Sequence, residues 1–272
     1  MAPQVLRYAA FTDDPAGGNP AGVVLDAGGM SAGEMQAVAA EVGFSETAFA
    51  ARGEADSEYE LRFYSPLAEV PFCGHATVAT AIALDQGRDL LFHTRNGPVV
   101  VKKTGRTATL TSVEPEVAAL SERDLDEILA ALAWTRDDLD PSLPPRVAYA
   151  GVYHPVIAAA TRERLRALDY DFDALGRLMG ERDWTTIQLV WREDELLFHA
   201  RDPFPVAGVV EDPATGAAAA ALGAYLRELG LVSPPATVTV LQGEDMGRPG
   251  RITVQIPPGR GGIDVSGTAV EL

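Results

Sequence analysis

"PFCGHATVATAIAL" at 71–84 and "EDPATGAAAAALGAYL" at 211–226 share one plan: a polar cluster, a glycine, then a run of small and apolar residues. From Ala76 to Leu84 and from Ala217 to Leu226 no charged side chain occurs. A helix at a protein surface keeps a polar stripe toward water, so each run predicts a helix enclosed on all sides. Strands must do the enclosing.

Strand-like segments follow each run in the same order. "PVVVKK" at 98–103 and "TATLTSV" at 107–113 are joined by "TGR"; "VTVLQ" at 238–242 and "RITVQI" at 251–256 are joined through "MGRPG". Their alternating β-branched residues read as strands. Gly74 and Gly216 lie 142 residues apart, as do the turn glycines Gly105 and Gly247. Upstream, "RFYSP" starts at Arg62 and "RDPFP" at Arg201, a spacing of 139 that requires only a three-residue insertion in the second loop. Matching order and offset predict a duplicated unit with a boundary near "EPEVAAL" at 114–120. The expected fold is α+β: two similar β-barrel-like halves, each around a central apolar helix, the first lobe in 1–115 and the second in 116–262.

Other helices read as ordinary surface elements. "SAGEMQAVAAEVG" at 31–43 opens with Ser31 and Glu34 in capping-box spacing, carries Met35, Val38, Ala39 and Val42 on one stripe, and stops at Gly43. "SERDLDEILAALAW" at 121–134 repeats the pattern with Ser121 as cap and Leu125, Ile128, Leu129 and Leu132 as stripe.

Composition limits the partners. With 39 acidic against 22 basic side chains the net charge is −17, which disfavours nucleic acid and anionic membranes; an anionic small molecule needs local positive potential at its site. The single cysteine, Cys73, cannot form an internal disulfide. With no N-terminal basic-then-apolar signal and no apolar span of about 18 residues, a soluble cytoplasmic protein is expected.

The first turns of the two enclosed helices are where chemistry is expected. A helix N-terminus presents unpaired N–H groups and roughly half a positive charge, suited to a carboxylate or phosphate. Were the halves to face one another about a pseudo-twofold, both helix starts would enter one cleft, with Cys73, Gly74 and His75 on one side and Glu211, Asp212, Thr215 and Gly216 on the other. Taken singly, His75 also reads as a structural histidine and Asp212 as a helix cap. In "GFSETAFA" at 43–50, strand geometry puts Glu46 on a face with Phe44 and Ala48, where desolvation would raise its pKa toward the range useful for proton transfer. A strand glutamate turned to solvent is the alternative. Asn19, in "GGNPAGVV" at 17–24, offers an amide to substrate, although turn chemistry explains it equally.

Together "GNPAGVV", "FSETAF", "FYSPLAEVPFCGHATVATA", "EDPATGAAA" and "MGRPG" resemble the PhzF-like phenazine biosynthesis family, from about residue 5 to 270. The resemblance implies the fold of diaminopimelate epimerase and a cofactor-free isomerase similar to trans-2,3-dihydro-3-hydroxyanthranilate isomerase. It implies Glu46 as the proton-transferring acid/base, His75 and Asp212 as polar partners that hold and polarise substrate, and Gly74, Gly216 and neighbouring backbone as a carboxylate cradle. It also implies that "IDVSGTAVEL" at 263–272 returns to the first half and that homodimers are usual. One departure stands at Ala217, where the family reads "ATGSA": a hydroxyl is missing at the second helix start, worth on the order of 1 kcal/mol if buried.

Other chemistries fit less well. A two-thiol racemase needs a cysteine in each half, and only Cys73 is present. That cysteine reads as a small buried residue beside the site. His75, His93, His154 and His199 are scattered with no pair at ligand spacing, so no metal is expected. A non-catalytic binding protein for small acids is the remaining rival.

Overall fold

The computed structural model describes residues 3–272. Both small-residue runs are helices, Gly74–Ala83 and Gly216–Glu228, and every residue in 75–81 and 218–226 is buried. Within the first, the Thr77 and Thr80 hydroxyls donate to the carbonyls of Cys73 and Ala76, both at 2.7 Å, so the polar atoms of an otherwise apolar helix are satisfied without water.

The chain forms two compact units. One runs to Thr111 and takes back Ser266–Leu272; the other is Ser112–Val265. In the first, strands Leu6–Ala10, Asn19–Val24, Glu46–Arg52, Glu58–Tyr64, Leu90–Thr94, Gly97–Thr104 and Thr107–Thr111 each pair with the next. The returning chain closes the circuit: the Ser266 hydroxyl meets that of Thr109 at 2.8 Å, and Ala269–Glu271 pairs with Leu6–Ala10. Helix Gly74–Ala83 lies inside and packs against six of these strands.

In the second unit, strands Glu116–Ala119, Arg146–Tyr149, Tyr153–Ala158, Gln188–Asp194, Leu197–Pro203, Ala236–Gln242 and Gly250–Ile256 likewise pair in succession. Helix Gly216–Glu228 packs on this sheet.

Topology explains why the buried helix occurs twice. In the first unit the 19–24 and 46–52 strands are parallel, as are 58–64 and 90–94; in the second, 153–158 with 188–194 and 197–203 with 236–242 are parallel. Parallel neighbours need a long crossover, usually helical. In each unit the second crossover carries the enclosed helix. The first crossover carries amphipathic helices: Ala32–Val42, closed by the Ser31–Glu34 capping box and by Gly43 in the left-handed region, or Arg162–Arg166 and Phe172–Arg182. Helix Glu122–Ala131, capped by Ser121, buries Leu125, Ile128 and Leu129 against Leu175, Leu178 and Met179. No helix among the described residues is long and apolar enough to cross a membrane.

Candidate active site

Three short segments bring the first unit's polar residues together. The parallel strands Asn19–Val24 and Glu46–Arg52 run in register, Ala21 opposite Glu46, so both begin at the same edge of the sheet. The enclosed helix begins there too, with Cys73 at its N-cap and no side-chain cap. His75 therefore meets Asn19, whose amide Nδ2 lies 3.1 Å from Nδ1. An amide nitrogen only donates, so Nδ1 accepts and the ring proton sits on Nε2. That nitrogen faces Glu46 Oε2 at 3.4 Å and the Ser45 hydroxyl at 3.5 Å. Cys73 Sγ lies 3.6 Å from Glu46 Oε2 and 3.3 Å from His75 Nδ1.

Burial sets the properties of this cluster. The Glu46 side chain is 16% exposed and that of His75 7%. Desolvation pushes the Glu46 carboxyl above the usual carboxylate range, opposed by hydrogen bonds from Ser45 and Cys73. Residues 47–50 of its strand are all buried, because helix Ala32–Val42 covers one face of the strand and the enclosed helix the other.

In the second unit, Asp212 lies in the short strand Glu211–Asp212, opposite Asp202. Its Oδ2 accepts from the Thr215 hydroxyl at 2.6 Å. Thr215 is the N-cap of the second enclosed helix, and it is braced by Gln242, whose Oε1 accepts from the Thr215 amide at 3.0 Å while Nε2 donates to the Asp212 carbonyl at 2.8 Å. The chain turns immediately after Gln242 at Gly243, φ +82°, where a Cβ would collide with the carbonyl oxygens of Pro213 and Arg248; only glycine lets the two loops approach. Gly216 and Ala217 open the helix.

An anchoring ion pair recurs in both units. Arg62 is bidentate to Glu69, at 2.7 and 2.9 Å, and Arg201 to Glu211, at 2.9 and 2.5 Å. Each pins a two-residue strand to the strand before the enclosed helix. Aligned on these arginines, which lie opposite Phe49 and Leu189, Glu46 corresponds to Thr186. Aligned instead on the helix-opening glycines Gly74 and Gly216, Cys73 corresponds to Thr215, the two N-caps. The duplication has thus kept the frame and left the acid/base-capable carboxyl and the thiol in one unit.

Residues not singled out in the sequence complete the picture. Ser45 and Gln242 touch the candidate residues directly. Gln242 carries a legible signal, an amide in period-two register with the buried Val238 and Val240. Around Thr186 lies a buried polar chain: its hydroxyl donates to Asp202 Oδ1 at 2.7 Å, so at 2.8 Å His154 Nδ1 must be the donor to it. His154 Nε2 then has no hydrogen-bond partner among the described residues, and burial lowers the His154 pKa from 6.5 to about 4. Burial also pushes the Asp202 carboxyl well up, and the nearby Asp212 and Glu211 carboxyls push it the same way. A depressed histidine pKa contributes stability that is present above 6.5 and lost as pH falls toward 4, here on the order of 3 kcal/mol. Urea unfolding at pH 7.5 and at 4.5 is expected to show wild type losing more stability than His154→Gln by about that amount; equal losses would contradict this assignment. His93 and His199 lie away from both clusters, on Glu58 at 3.6 Å and between Glu193 and Glu244, both at 2.6 Å.

Comparison with known proteins adds lineage. The profile of the family described as phenazine biosynthesis-like protein matches residues 8–272. The uncharacterized isomerase YddE of Escherichia coli (strain K12) is 33% identical over 296 residues, covering 100% of this chain and 97% of the relative. Trans-2,3-dihydro-3-hydroxyanthranilate isomerase of Pseudomonas chlororaphis is 31% identical over 250 residues, covering 88% and 85%. Among solved structures, a PhzF-family phenazine biosynthesis protein from Bacillus anthracis superposes with a TM-score of 0.89 at 28% identity, covering 98% of this chain and 96% of that one.

Proposed function

The chain belongs to the phenazine biosynthesis-like family, whose relatives are isomerases, and on that premise we propose that it moves a proton within a small cyclic or unsaturated carboxylate, with Glu46 as its acid and base. The observation that carries this reading is the Glu46 carboxyl, largely buried, raised above its ordinary range, and edged by Ser45, Cys73 and His75. A carboxyl that burial holds above its ordinary range keeps a proton more readily, and so can take one from an acidified C–H and return it to another carbon.

The roles of the other residues follow from what they touch. His75, held by Asn19 with its proton on Nε2, orients Glu46 and polarises substrate. Amides at the start of the first enclosed helix, Gly74 among them, lie beside Glu46 and are the proposed carboxylate cradle. Asp212, fixed by Thr215 and Gln242, is the proposed polar partner for a substrate hydroxyl or amine. One carboxyl gives and takes, because Thr186 stands at the equivalent place in the other unit. Ala217 has no hydroxyl to offer, so the preferred substrate is expected to differ from that of the Pseudomonas enzyme.

The test is hydrogen exchange. Small cyclic and unsaturated carboxylates, incubated with the protein in D₂O and followed by NMR, are expected to show double-bond migration with solvent or intramolecular hydrogen transfer. Saturable binding of these acids with no exchange in any of them would favour a non-catalytic binding protein instead.

A further inference from the structure

Three side chains of the second unit carry polar atoms that no protein group satisfies. His154, Gln188 and Asp202 are each 0% exposed. Among the described residues, His154 Nε2, both amide atoms of Gln188 and Asp202 Oδ2 have no hydrogen-bond partner. Strand pairing gathers them into one patch: Gln188 lies opposite Val156, two residues on from His154, and Asp202 follows Arg201, the partner of Leu189. The intervening Ile157, Ile187 and Leu189 point the other way, into the cluster that packs helix Glu122–Ala131. The Thr186 hydroxyl ties the patch together, 2.8 Å from His154 Nδ1 and 2.7 Å from Asp202 Oδ1.

The duplicated frame does not require polar groups here. With Thr186 at the place of Glu46, Gln188 stands at that of Ala48, Asp202 at that of Phe63, and His154, through strand pairing, at that of Ala21. Ala21, Ala48 and Phe63 are also 0% exposed, so the first unit fills these positions with apolar side chains alone. Polar atoms buried without partners cost stability, and folded proteins rarely leave them so. The orphaned atoms themselves define what satisfies them. His154 Nε2 is a bare acceptor, since Nδ1 carries the ring proton; Gln188 offers one acceptor and two N–H donors; Asp202 Oδ2 accepts when ionised and donates when protonated. A cation would leave the Gln188 N–H groups unpaired, and an anion the imidazole lone pair. A small molecule that both gives and takes hydrogen bonds serves all three.

We propose that His154, Gln188 and Asp202 enclose an internal site for water. The water donates to His154 Nε2 and Gln188 Oε1 and accepts from Gln188 Nε2, within the two to four bonds that a buried water makes. Burial raises the Asp202 carboxyl, which favours an O–H that donates to the water from Oδ2. Asp202 lies opposite Asp212, so the site adjoins the strand pair that carries the residue proposed to meet substrate.

Long-lived internal water is counted by ¹⁷O relaxation dispersion of the solvent and located by rotating-frame Overhauser transfer from water, which separates contact from chemical exchange. In the full-length wild type, the His154 ring protons and the Gln188 amide protons are expected to receive transfer from water, and the ¹⁵N shift of His154 Nε2 should be that of an unprotonated nitrogen accepting a hydrogen bond. Gln188→Leu, of similar volume but apolar, should lower the internal water count, whereas His199→Gln, on the other face of the same sheet, should leave it unchanged. Stability supplies an independent sign. With water in place, Gln188→Leu removes one of its partners and lowers the urea midpoint; were the three groups without any partner, discarding the amide would raise it. No transfer from water to either residue in wild type, a water count unaltered in Gln188→Leu, or a raised midpoint would each overturn the proposal. The wild-type spectra decide the matter even if Gln188→Leu does not fold.

Discussion

Glu46→Gln is expected to lower hydrogen transfer by about 10²–10⁴-fold, the usual contribution of a positioned general acid/base, while the protein still folds. Glutamine keeps the shape and the capacity to accept from Ser45 and Cys73 but exchanges no proton in this range. The substitution also exchanges a carboxyl disfavoured in its charged form by burial for a neutral amide, so unfolding stability at pH 7 should be unchanged or slightly higher. Glu46→Asp, shorter by one methylene, should recover part of the rate, since the chemistry survives and the reach does not. Single-turnover rates in D₂O for the three proteins, with urea denaturation alongside, decide the matter. Undiminished transfer in Glu46→Gln would remove Glu46 from the mechanism.

Glu211→Ala is expected to cost about 3–5 kcal/mol of stability, because it leaves the Arg201 guanidinium inside the protein without its partner. The Arg201 and Glu211 side chains are 11% and 4% exposed. Their counterparts Arg62 and Glu69 are 29% and 13% exposed. Water reaches Arg62 when Glu69 is lost, so Glu69→Ala should cost clearly less. The double change Arg201→Met with Glu211→Leu should recover most of the loss, since it removes both charges. Chemical denaturation of the four proteins checks the ordering; equal losses for Glu69→Ala and Glu211→Ala would show that burial does not set the difference. Glu211 also precedes Asp212 in the strand that its ion pair pins, so Glu211→Ala should displace Asp212 and weaken substrate binding.

The duplication was legible because glycines and charged residues punctuate the chain at fixed offsets. Gly105 and Gly247, spaced like Gly74 and Gly216, both adopt the left-handed conformation that turns between strands use. The enclosed helices were legible because a run of ten residues without charge cannot face water. The capping box at Ser31 and Glu34, and the stop at Gly43, are local hydrogen-bond patterns that require no knowledge of the rest of the chain.

Long-range contacts are another matter. Spacing along the chain separates Glu46 from Cys73 by 27 residues, and no linear rule joins them; parallel strand pairing and the crossover helix do. Nor does period-two reasoning foresee a strand covered on both faces, which is what leaves Glu46 desolvated among buried neighbours. The chain His154–Thr186–Asp202 looks unremarkable as three polar residues in three segments, and becomes a hydrogen-bonded line only when strands 153–158, 188–194 and 197–203 are laid side by side. Periodicity, caps and turns are properties of neighbours in sequence, so they can be read before folding. The pKa of Glu46, the tautomer of His75 and the depth of the Arg201 ion pair depend on groups brought close by pairing and burial, and these exist only in the folded protein.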